Sequence, residues 1–145
     1  MLDSFVRDMR SDRVGLVRAA RRAYLLGLVA LTLPGAVLGV VLLLARPAPM
    51  PFPAVLALLV LALVLALVAL RLARSAAGNT ELPARQAALT GAIQAATAPG
   101  VPLLLAYATL SQGLSVGLFL ILAAVMHAVV WTQVPGWVRE PEAES

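Results

Sequence analysis

QAALTGAIQAATAPGVPLLLAYATLSQGLSVGLFLILAAVMHAVVWTQVPGWV, residues 86–138, contains no Asp, Glu, Lys or Arg. At its middle, Ser111-Gln112-Gly113-Leu114-Ser115 makes a polar break with a glycine. Each side of that break is long enough to cross ~30 Å of hydrocarbon as a helix, which takes about 20 apolar residues. The stretch reads as a transmembrane hairpin, and the rest of the chain as its partners and anchors.

The composition agrees. Hydrophobic residues make up 61% of the 145-residue chain and charged ones 12%, against about 25% charged in an ordinary globular domain. Arg7, Arg10, Arg13, Arg18, Arg21 and Arg22 all precede the first apolar run. In so apolar a chain, the net charge of +4 is a topology signal and not a nucleic-acid surface. Lysine is absent and Ala, Val, Leu, Gly and Pro abound, a bias that suggests a GC-rich bacterial genome and hence the bacterial cytoplasmic membrane. With no cysteine, disulfides, thiolate metal sites and cysteine nucleophiles are excluded.

In chain order, residues 1–22 are expected as a basic amphipathic helix on the membrane surface. Leu2, Phe5, Val6 and Met9 gather one apolar face and the arginines take the other, among anionic headgroups. A mobile basic tail is the competing reading, since Ser11 and Gly15 weaken helix. The membrane domain spans 23–138, with spans at about 23–45, 54–72, 86–110 and 114–134. The first span carries Pro34 and the pair Gly35/Gly39, whose spacing lets another helix come close. The prolines of residues 46–53 make a stiff outer loop. The second span is Ala, Val and Leu alone and is expected to face lipid on most sides. In the inner loop, residues 71–85, Gly78-Asn79 is a helix stop and Thr80 a candidate N-cap for the third helix. Residues 139–145 form an acidic tail, expected to be disordered.

Counting arginines along this layout puts all but Arg46 on one side if both termini are cytoplasmic. The positive-inside rule therefore predicts N-in, C-in.

No Asp, Glu, Lys or Arg falls inside any expected span, which argues against proton-driven antiport and voltage sensing. The polar residues that remain are Gln86, Thr90, Gln94 and Thr97, one stripe on the third span, and His127 on the fourth. Counted from the turn at Gln112, His127 lies level with Thr97, and a hydrogen bond from His127 to Gln94 or Thr97 is expected. His127 is read first as a neutral histidine pinning two helices, and second as a proton or haem site. It cannot hold a metal by itself. Ala84, Ala88, Ala92, Ala96 and Gly100 repeat every four residues and form a groove for helix contact, and Gly113/Gly117 offer a similar spacing on the fourth span.

Arg71, Arg74, Asn79, Glu81 and Pro83 are distantly similar to the Arg, Asn, Glu cluster of the membrane-associated eicosanoid and glutathione metabolism enzymes. The spacing departs from that family's, with Asn79 five past Arg74 and Glu81 two past Asn79. The segment reads instead as a solvated loop carrying positive-inside arginines.

The expected fold is an all-α, integral membrane four-helix bundle. The expected function is non-enzymatic: an accessory, assembly or scaffold subunit acting through helix contacts with other membrane subunits or with itself. No cofactor, metal or nucleic acid is implied. The alternative is a small oligomeric transporter or channel with a path along the third-span stripe and His127. A holin-like pore former ranks third.

Overall fold

The computed structural model describes residues 13–45 and 47–138. The segment 1–12, where most of the expected surface helix falls, Arg46 and the acidic tail lie outside the described residues. All regular elements among the described residues are helices: α1 Arg13–Ala45, α2 Phe52–Ala77, α3 Ala84–Ala95, α4 Thr97–Ala108 and α5 Gly113–Trp137. α3 and α4 run on as one span. Four helices are thus long and apolar enough to cross a membrane.

The helices overrun the expected spans, mostly at the arginine-bearing end. Residues 13–22 are not a separate surface segment but the first turns of α1, with Gly15, Leu16, Ala19 and Ala20 buried against the bundle. Burying those positions outweighs the ~1 kcal/mol that a glycine costs inside a helix. α1 continues through Pro34 without a break. α2 opens at Pro51-Phe52-Pro53, where a missing N–H is no loss because the first turn has no partner for it.

Gly78 ends α2, its N–H donating to the Arg74 carbonyl at 2.9 Å, so the expected stop stands. Thr80 is not the next cap. Pro83 holds that position and the helix starts at Ala84, because a proline disfavours helical geometry in the residue before it. Asn79 Oδ1 instead accepts the Glu81 N–H at 2.9 Å, closing a loop turn.

The third span is broken at Ala96, between α3 and α4. Pro99 has no N–H for the Ala95 carbonyl, and its ring crowds that carbonyl, so the helix restarts with Pro99 in the first turn of α4. Ala96 bridges the gap by donating its N–H to Ile93 and accepting one from Gly100.

This broken span is the centre of the molecule. Half of its most apolar stretch is buried, against less than a third in each other helix. It is also the least hydropathic of the four, so covering it with protein leaves the purely aliphatic faces exposed. α2 illustrates the division. Val55, Ala62, Ala66, Leu70, Ala73 and Ala77 form one buried line, while Leu56, Val60, Leu61, Val64, Leu67 and Val68 are exposed.

Small residues set the approach. A Cβ on Gly39 would stand 2.8 Å from the Tyr107 carbonyl oxygen, and one on Gly91 2.8 Å from the Ala73 oxygen and 2.7 Å from the Ala77 Cβ. Gly27 faces Ala96, Gly100 faces Leu31, and Gly35 faces Leu104. The constant offset shows α1 running parallel to the third span, while Gly91 against Ala73 and Ala77 marks the antiparallel pairing of α2 with α3. Backbones this close gain dispersion contacts, the main attraction available between helices in lipid. Nothing of this chain lies within 4 Å of a Cβ at Gly113 or Gly117. α5 meets the bundle through larger residues instead, with Phe119, Met126, Val130 and Val134 buried.

Candidate functional site

The third-span stripe does not converge with His127. Gln86 and Gln94 are exposed, and Thr90 and Thr97 are half-buried. The Thr97 hydroxyl donates to the backbone carbonyl of Gln94, within its own span. Along the alanine face, Ala88, Ala92, Ala96 and Gly100 are buried and Ala84 is half-buried.

His127 pairs with a different helix. Its Nδ1 lies 2.6 Å from the hydroxyl of Tyr24 on α1, and Tyr24 is fully buried. The expected bond to Gln94 or Thr97 is therefore replaced by an α1–α5 bond. The reason is geometric. Counting residues from the turn at Gln112 fixes a height along the hairpin but not which way a side chain points, and the inner half of α5 turns His127 toward α1. In the neutral ring, a tyrosine hydroxyl donating to Nδ1 leaves the ring proton on Nε2.

This pair belongs to a layered arrangement. The Tyr24 and His127 rings lie 5.5 Å apart, and His127 stacks on Trp131, one turn further along α5, at 5.9 Å. The Arg21 guanidinium covers the Trp131 ring at 4.4 Å from its centroid. Arg21 and Tyr24, three apart on α1, thus meet His127 and Trp131, four apart on α5, through matching helical repeats. On the other flank of α5, Arg74 of α2 donates from Nε and Nη2 to Gln133 Oε1 at 2.9 and 2.7 Å.

Sequence reasoning placed Arg21 only as a topology signal, Arg74 as that and as a member of the enzyme-like cluster, and Tyr24 only as the second residue of a span. An aromatic hydroxyl three residues after an arginine, at the edge of an apolar run, is the signal that would have flagged the pair.

The arginines of the described residues are Arg13, Arg18, Arg21, Arg22, Arg71, Arg74 and Arg85, with Glu81 the sole acid among those residues. The Arg21 and Arg74 contacts draw helices α1 and α2 onto the same end of α5. At that end an open groove of about 520 Å³ runs between the end of α2 and α3, lined by Leu72, Ser75, Ala76, Gly78, Asn79, Thr80 and Gln94. The Gln94 amide has no hydrogen-bond partner among the described residues. No group of three or more His, Cys, Asp or Glu side chains among the described residues is placed to hold a metal ion.

No protein-family model matches this chain, and no curated protein or solved structure matches it either. Its function rests on the site alone.

Proposed function

We propose that the chain is a small multi-pass protein of the bacterial cytoplasmic membrane, with both termini cytoplasmic. It works without catalysis, as an accessory, assembly or scaffold subunit that binds other membrane helices or further copies of itself. The orientation is supported by the arginines of the described residues, which gather at one end of the bundle, and by the positive-inside rule.

One observation carries the reading. The third span closes its alanine–glycine face against α1 and α2, yet leaves the Gln94 amide exposed and unpartnered beside an open groove. A glutamine on a membrane-spanning helix gains by hydrogen-bonding across to another helix, and this bundle supplies none. A path for a transported solute along the same stripe has less support, because His127 is joined to Tyr24 and not to the stripe.

Purification from the native host in mild detergent, followed by native mass spectrometry, tests this. A larger complex of fixed stoichiometry, lost in Gln94→Leu, supports the subunit reading. An assembly that survives Gln94→Leu counts against Gln94 as its contact, and a monomer from the native host counts against the subunit reading.

A further inference from the structure

We infer that Arg21, held on Trp131, is the phosphate-binding point of a site for an anionic phospholipid at the seam between α1 and α5. The inference rests on reading the arginine-bearing end as a membrane face.

The Arg21 guanidinium carbon stands 4.4 Å from the centroid of the Trp131 indole, and its Nε is buried with no hydrogen-bond partner. No carboxylate among the described residues pairs with it. A guanidinium fixed by stacking loses little further freedom when it binds, and its planar fork of donors matches the oxygens of a phosphodiester. Arg18 and Arg22 stand within one turn of it on α1. Basic clusters at helix ends on the inner face of a membrane attract acidic headgroups at about 1 kcal/mol per residue, roughly a fivefold enrichment.

A lipid fits this place better than a free phosphate because of the residues that come next on the same helix. Leu25, Leu26, Val29 and Leu33 continue α1 and are all exposed. Leu25 and Val29 lie one and two turns beyond Arg21 on its own face. Headgroup and acyl chain thus find their complements in the right order, arginine and indole first, then aliphatic surface.

Trp131 is itself the reporter. Trp137→Phe leaves it as the single tryptophan, in vesicles mixing phosphatidylglycerol and phosphatidylcholine with brominated acyl chains on one lipid at a time. The expected result is Trp131 quenching stronger by about fivefold in local lipid occupancy when phosphatidylglycerol carries the bromine. Arg21→Gln should remove that preference, and Arg85→Gln, on another helix, should keep it. Equal quenching by both lipids in the Trp137→Phe protein overturns the site while leaving the membrane reading intact. Quenching by neither lipid overturns both. A preference abolished by millimolar inorganic phosphate overturns the lipid assignment in favour of a soluble anion.

Discussion

The Tyr24 hydroxyl and His127 Nδ1, on helices α1 and α5, stand 2.6 Å apart. The bond ties the first helix to the last, between partners 103 positions apart in sequence. A double-mutant cycle with Tyr24→Phe and His127→Leu, read by unfolding in detergent, should give a coupling of ~0.6 kcal/mol and at most about 2. Nitrogen NMR of the ring should show Nδ1 unprotonated in the neutral form. Zero coupling together with a protonated Nδ1 would reject the bond.

Glycines divide into two classes. Gly39→Ala and Gly91→Ala meet backbone atoms closer than 3 Å and should each cost about 1–3 kcal/mol by forcing helices apart. Gly35→Ala meets the far end of Leu104 at close range and the Tyr107 ring at ordinary contact distance, and should cost less. Gly117→Ala meets nothing and should be neutral or stabilise by up to ~1 kcal/mol, since alanine favours helix. Thermal midpoints of the four variants in one detergent check the ranking. A Gly117 variant as damaged as the Gly91 variant would show that another surface covers the open face.

Ala92 and Gln94 are two residues apart on α3 and should respond oppositely to the same change. Ala92→Leu overfills a fully buried position and should destabilise the isolated protein by about 1–3 kcal/mol. Gln94→Leu alters an exposed side chain and should leave that stability within ~0.5 kcal/mol. Its effect should appear in the yield of the native complex instead. Comparing melting temperature with co-purification separates the two.

The absence of cysteine makes topology simple to map with single introduced thiols. Met50→Cys, in the proline-rich loop, should react with a membrane-impermeant reagent in intact cells. Ser75→Cys, in the groove at the arginine-bearing end, should react only after permeabilisation. The reverse pattern would invert the proposed orientation.

Much of the fold was legible in the sequence because it depends on local quantities. Hydrocarbon thickness fixes how long an apolar run must be, so four spans and the hairpin turn at Gln112 follow from composition along the chain. The every-fourth spacing of Ala88, Ala92, Ala96 and Gly100 marks a helix face whatever it packs against, and the structure buries all four. Local steric rules also carry Gly78 as a stop, and the same rules, applied to Pro83, account for Thr80 losing its place as cap.

The site was less legible because it depends on rotation and register between helices, which no single helix encodes. Gly35/Gly39 and Gly113/Gly117 have the same spacing, yet one pair touches a neighbour and the other meets open space. His127 lies near the height that counting gives, but its azimuth is set by the packing of Met126, Val130 and Val134 into the bundle. The sequence alone determined that this chain has four helices fit for a membrane and arginines concentrated toward one side of it. Only the tertiary structure decided that Tyr24 and not Gln94 meets His127, and that Arg21 lies on Trp131, because side-chain contact depends on how whole helices are turned toward each other.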